Sequence, residues 1–231
     1  MRYDDSSTPI ESGAASTRTA GGPMKVHFAI FVTLLAVACG QSGPAGPKSL
    51  NAIASIYEDG DAKTAAAELQ KFLERNPRHD LAWTILGHSH KDLGDDRQAA
   101  GSYRRALSIN SRRVEAITGM GILARRRGDD DEALRYYRQA VEIDPRYAQA
   151  YSSMTVISLR HSRDAEALEY AEKAWSLDKR DPAIAANLAA AYHYNSMPSK
   201  RDEMTERAKK LGYRKIETLQ QIYSGEKTLR E

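Results

Sequence analysis

The sequence predicts an all-α fold in which one unit, two helices long, is repeated along the chain. Helix formers dominate the 231 residues: Ala, Leu, Arg, Glu and Lys recur throughout, while β-branched runs are scarce outside residues 26–33. Residues also return at a fixed spacing of 34: Gly60, Gly94 and Gly128; Ala65, Ala99, Ala133 and Ala167; Asn76-Pro77, Asn110-Ser111, Asp144-Pro145 and Asp178-Lys179. Self-similarity at such a period marks a repeat architecture. Within one period, apolar residues recur at three- and four-residue steps over two stretches, as two amphipathic helices require.

Taken in order, the chain opens with residues 1–23, which are polar, aperiodic and net acidic. They read as an over-extended start or a disordered leader. Residues 24–38 have the layout of an export signal: Met24 and Lys25 supply positive charge, an apolar stretch runs from Phe28 to Ala38, and small residues end it. That stretch is too short to span a bilayer, which takes roughly 17–25 residues. Ala36-Val37-Ala38 suits an ordinary signal peptidase. Leu35-Ala36-Val37-Ala38-Cys39 also resembles the bacterial lipobox, in which the cysteine receives lipid and becomes the mature N-terminus. It departs from that pattern at Ala36, where the family prefers Leu. Cys39 is the only cysteine in the chain, so no internal disulfide and no cysteine-based zinc site can form. Its place after the signal makes it the candidate lipid-attachment site, and Gly40 after it would imply the outer membrane in a host with two membranes. Residues 39–47 then read as attachment point and flexible tether, GQSGPAGP reaching about 25 Å when extended.

The repeats follow as 46–79, 80–113, 114–147, 148–181 and a degenerate 182–213. The unit 114–147 displays their logic. Its first helix carries Ile117, Met120, Leu123 and Ala124 on one face; its second carries Ala133, Leu134, Tyr137, Ala140 and Val141. Gly128-Asp129-Asp130 makes the turn, since Gly accepts a positive φ and Asp starts a helix well. Ile143-Asp144-Pro145 ends the second helix, because proline cannot continue it. Small residues (Gly87, Gly121, Ala99, Ala133, Ala106 and Ala140) stand where helices cross closely. In 182–213 the apolar helix AIAANLAAAYHY survives, and Ser196-Met197-Pro198-Ser199 replaces the glycine turn. Residues 214–224 form a capping helix with Ile216, Leu219 and Ile222 laid over the open edge, and the tail 225–231 is expected to fray.

Units 80–113 and 114–147 closely resemble the tetratricopeptide repeat. The first supplies Trp83, Leu86, Gly87, Ala99, Tyr103 and Ala106; the second supplies Met120, Gly121, Ala133, Tyr137, Ala140 and Pro145. The resemblance covers residues 46–213. It implies a right-handed α-solenoid of helix-turn-helix repeats with a C-terminal capping helix, each repeat held by its neighbours. It also implies a concave groove, lined by the first helix of each repeat, that takes a protein or peptide segment. By resemblance the lining is Thr84, His88 and Lys91; then Thr118, Ile122, Arg125 and Arg126; then Ser152, Val156, Leu159 and Arg160; then Ala190, His193 and Tyr194. His88 is expected in the groove and His90 against the core. Chaperone-binding members of the family hold a terminal carboxylate with Lys and Asn at the fifth and ninth positions. Those positions are Thr84 and His88, or Thr118 and Ile122, so that clamp is missing. Lys91, Arg125, Arg126 and Arg160 would form a basic rim for a segment of acidic character, or else they are solvated helix ends.

No phosphate loop, nucleophile motif or HExxH zinc site occurs in the sequence. Gly119-Met120-Gly121 lacks a third glycine and sits mid-helix. A net charge of +3 among charges of alternating sign argues against nucleic acid. No enzyme, cofactor or metal is therefore expected, and the oligomeric state is not legible. The reading is an exported, lipid-anchored scaffold that binds a protein partner in the bacterial envelope, facing the periplasm. Its nearest resemblance is to pilotin-type lipoproteins and adaptors of cell-wall hydrolases. The alternatives are a soluble periplasmic chaperone-like protein cleaved at the same bond, and an accessory subunit of a glycosyltransferase.

Overall fold

The computed structural model describes residues 48–230, so the leader, the export signal, Cys39 and the tether lie outside the described residues. Among the described residues there are eleven helices and no strand: α1 (Leu50–Glu58), α2 (Ala62–Arg75), α3 (Asp80–Asp92), α4 (Asp96–Ile109), α5 (Val114–Arg126), α6 (Asp130–Ile143), α7 (Ala148–Arg160), α8 (Asp164–Leu177), α9 (Pro182–Tyr194), α10 (Pro198–Lys210) and α11 (Ile216–Tyr223). The chain divides into two compact units, one ending at Leu123 and the other beginning at Ala124.

In the first unit α3 packs against α1, α2 and α4. In the second, α7 packs against α6, α8 and α9, while α9 packs against α7, α8, α10 and α11. Burial follows the same division. Helices α7 and α9 each bury nine of their thirteen residues, whereas α8 buries only Ala167, Ala171 and Ala174. In the pairs α7–α8 and α9–α10 the first helix is therefore the inner one, and the second covers it with a narrow stripe. Sequence explains the contrast. AQAYSSMTVISLR and PAIAANLAAAYHY are small or apolar on every side, so they tolerate enclosure, while the outer helices are polar beyond one stripe. Ile53, Leu69, Leu73, Ile85 and Leu86 make the core of the first unit. Leu159, Ala171, Leu188, Met204, Leu219 and Ile222 belong to that of the second.

The turns keep the period where the residue type does not. Gly60, Gly94 and Gly128 have φ of 90°, 80° and 80°, and Ser162 and Ser196 adopt 56° and 57° at the same place in the next two repeats. The residue that follows caps the outer helix: carboxylates of Asp61, Asp95 and Asp129 accept the N–H groups of Thr64, Gln98 and Glu132 at 3.0, 3.1 and 2.9 Å. Arg163 and Met197 stand at that position in the later repeats and make no side-chain cap. At the far end of the outer helices proline is not the common stop. Side chains of Asn110, Asp144 and Asp178 turn back to accept the N–H of Arg112, Arg146 and Arg180 at 3.1, 2.9 and 2.8 Å. That turn ends the helix with Ser111 or Lys179 next in line as well as with Pro145.

Helix α11 buries Leu219 and Ile222 and half-buries Ile216. Beyond it residues 224–228 are exposed. Leu229 packs against the core of the second unit, and Arg230 reaches Asp164 at the start of α8.

Candidate peptide-binding face

The residues assigned to a groove differ from helix to helix in what surrounds them. In the first unit Thr84 is buried, its hydroxyl donating to its own helix at the carbonyl of Asp80, 2.9 Å away. His88 Nδ1 is 2.8 Å from the hydroxyl of Tyr103, and the His88 ring stacks on Tyr57 with centroids 6.3 Å apart. The Tyr57 hydroxyl donates to Asp92 at 2.6 Å. Burial pushes the Tyr57 phenol well above its ordinary range, with Asp92 adding to the effect. Burial likewise holds the His88 imidazole down to about 3, with Lys91 pushing the same way and Asp92 opposing. His88 is thus a neutral, half-buried member of an aromatic set, whereas His90 is buried. Lys91 pairs with Asp92 at 2.8 Å.

On α5, Thr118 is buried with its hydroxyl unpartnered among the described residues, Ile122 is half-buried, Arg125 is buried and Arg126 is exposed. On α7 the assigned floor is closed. Ser152, Val156 and Leu159 are all buried, and Ser152 Oγ accepts a hydrogen bond from Asn187 of α9 at 2.8 Å. Arg160 lies across Asp130, its Nη1 2.9 Å from both carboxylate oxygens, and His161 Nε2 reaches the same carboxylate at 2.9 Å. The side chains of Arg160 and Asp130 are only 15% and 7% exposed. A shallow cavity of about 320 Å³ beside them is lined by Arg127, Gly128, Asp129, Asp130, Asp131 and His161.

The basic rim is therefore not a row of cations facing solvent. Lys91 and Arg160 are held by carboxylates, Arg125 is buried, and Arg126 alone of the four is exposed. Arg160 ties α7 to α6 through Asp130, a role that neither an acidic ligand nor simple solvation describes. Such polar ties recur across one repeat length: Tyr57 to Asp92, Asp80 to Arg113, Asp130 to Arg160, Gln149 to Asp181 and Ser152 to Asn187 are separated by 35, 33, 30, 32 and 35 residues. Looking for complementary side chains one period apart would have found Asp130 and Asp92, which a search confined to groove positions misses.

At the end of α9 the surroundings come from the C-terminal helices. Ala190 is buried, and His193 and Tyr194 are half-buried. Tyr223 of α11 sits 5.0 Å from His193, between it and Arg201, whose guanidinium is 5.0 Å from the Tyr223 ring. The Leu229 N–H donates to the Tyr194 hydroxyl at 3.1 Å, and the Arg230 guanidinium lies 4.4 Å above the Tyr194 ring. The chain's own C-terminal segment occupies this end of the assigned face.

Helical pairs packed on their neighbours, with polar ties about one repeat length apart, define a repeat architecture. Family models for the tetratricopeptide repeat match residues 56–113 and 114–147, and the helix pairs of the described residues have the architecture of a tetratricopeptide α-solenoid. That fold serves as a non-catalytic interaction scaffold. No curated protein matches the sequence. Several solved structures share the fold at low identity. A thermophilic tetratricopeptide protein of Thermus thermophilus is 18% identical over 76% of this chain and 95% of its own, with a TM-score of 0.63. One from Parabacteroides merdae is 20% identical over 76% and 68%, with a TM-score of 0.62. The pilF protein of Pseudomonas aeruginosa is 18% identical over 76% and 86%, with a TM-score of 0.61.

Proposed function

We propose that this protein is an exported scaffold that binds a segment of a protein partner in the bacterial envelope, in the manner of a soluble, chaperone-like periplasmic protein. The match of residues 56–147 to tetratricopeptide repeats supports the binding role. The arrangement of Met24 to Ala38 as an export signal supports the compartment. Ala36 suits ordinary cleavage and departs from the lipobox, which favours the unlipidated form. A second reading, a lipid-anchored scaffold like the pilotin-type and hydrolase-adaptor lipoproteins, rests on the placement of the single cysteine, Cys39, directly after the signal.

Both readings cleave the bond between Ala38 and Cys39, so the mature N-terminus tests export and the chemistry on the sulfur separates them. Mass spectrometry of the protein from fractionated cells should find Cys39 first, in the periplasmic fraction and without label from a radioactive fatty acid. Label at Cys39, lost in Cys39→Ala, would replace this reading with the anchored one. An uncleaved cytosolic chain would overturn export. A photo-crosslinker at the half-buried Ile122 should join the protein to an envelope protein in living cells, and crosslinks confined to cytosolic proteins would count equally against the proposal.

A further inference from the structure

Asp130 and Asp164 occupy the same place in successive repeats, 34 residues apart at the first position of an outer helix. Asp130 binds a guanidinium from the last residue of the next inner helix, Arg160. The residue corresponding to Arg160 one repeat on is Tyr194, which has no charge to offer Asp164. The guanidinium arrives from elsewhere: Arg230, 66 residues away, contacts Asp164 Oδ2 through Nη2 and stacks on the Tyr194 ring. The same carboxylate position therefore takes arginine twice, once from a helix and once from the chain's terminal segment.

The second arrangement is the less complete one. Asp164 Oδ1 and Arg230 Nε are both buried and make no hydrogen bond among the described residues, although an arginine and a carboxylate can pair through two parallel bonds. Arg230 is carried by a segment whose preceding residues, 224–228, are exposed, and its other anchor is the Leu229 N–H on the Tyr194 hydroxyl. A planar cation, an aromatic face beneath it, a carboxylate with capacity to spare and an apolar contact for the preceding residue make a recognition site with a replaceable occupant.

We propose that Asp164 and Tyr194 form an arginine-binding site, which the chain fills with its own Leu229-Arg230 and which an arginine-bearing segment of a protein partner enters by displacing that hook. The displacement half rests on the reading of the chain as a protein-binding scaffold; the hook does not, and neither half depends on export. Failure here would leave the envelope tests standing, and failure there would leave this site standing.

The test uses the full chain, its Arg230→Ala variant and the synthetic octapeptide SGEKTLRE, residues 224–231. In the native chain the Leu229 amide should exchange with solvent at least about tenfold more slowly than in the free peptide, and Arg230→Ala should lose that protection. The octapeptide should give saturable NMR shifts at Tyr194 and His193 in Arg230→Ala. The native chain should need about tenfold more peptide, because the tethered hook competes at high effective concentration. A peptide with Ala in place of its Arg should give no shifts, and Asp164→Asn added to Arg230→Ala should abolish them. Arg230→Lys keeps the charge without the planar fork and should take peptide at intermediate concentration, which serves if the alanine variant is poorly folded. An unprotected Leu229 amide would overturn the hook. Equal peptide response in native and variant chains, or none in the variants at millimolar peptide, would reduce the contact to a structural cap and overturn the site.

Discussion

At the scale of single residues, enclosure decides what the side chains do. His88 is held down to about 3 chiefly by burial, and His90 and His193 are lowered with burial as the first cause. An unfolded histidine titrates near about 6.5. Between those values the unfolded chain binds a proton at His88 that the folded chain refuses. Stability is therefore whole above the unfolded value and falls as pH drops, by at most about 1.4 kcal/mol per pH unit for one such group. Urea midpoints at pH 7 and pH 5 should differ less in His88→Gln than in the native chain, and an unchanged difference would remove His88 from the account. Tyr103 shows enclosure by backbone. Its ring is fully buried, and a Cβ added at Gly87 or Gly119 would lie 2.4 Å from a ring carbon. Gly119→Ala should cost about 1–3 kcal/mol by overpacking, read as a lower melting temperature. The spacing marked Gly87 as a crossing point, whereas Gly119 drew notice only as part of an incomplete glycine motif. The tyrosine ring it accommodates belongs to another helix, which local sequence does not reveal.

At the scale of helices, the period is a set of places with a physical demand, and the later repeats meet it less well. The turn requires a positive φ, supplied by glycine three times and then by Ser162 and Ser196. An L-residue in that region costs about 1–2 kcal/mol relative to its ordinary conformation. The next position requires an acceptor for the free N–H groups of the outer helix, and Arg163 supplies none. Arg163→Asp should stabilise the protein by about 0.5–2 kcal/mol as a new N-cap, although it gives up the exposed contact of Arg163 with Glu166 at 3.4 Å. Ser162→Gly should add to it by relieving the turn. Chemical denaturation of both single variants checks this, and destabilisation by Arg163→Asp would show that its ion pair outweighs the cap. These gains belong to α8 because its own sequence leaves them open, while α4 and α6 already have Asp95 and Asp129 in place.

At the scale of the molecule, the fold was readable because one pattern is written several times. Gly60, Gly94 and Gly128 return at one spacing, and Asp61, Asp95 and Asp129 start successive outer helices at the same one. The candidate face was less readable, because periodicity names a position and not its neighbour: Arg160, assigned to the groove by its place in the repeat, binds Asp130. The hook was not readable at all, since Arg230 meets Asp164 once, 66 residues away, and leaves no periodic trace. What periodicity does fix is how stability is shared, since in repeat proteins it accumulates from each unit and its immediate neighbours. Leu219 of α11 is fully buried in the core of the second unit, far in sequence from the core around Ile53 and Leu69. Leu219→Ala should cost about 2–5 kcal/mol through lost burial and the cavity left behind. Hydrogen exchange resolved by peptide should place that loss in α9, α10 and α11, while α1 to α4 keep their protection. A uniform loss along the chain would mean that it opens as one cooperative block, against the sharing of stability between neighbours.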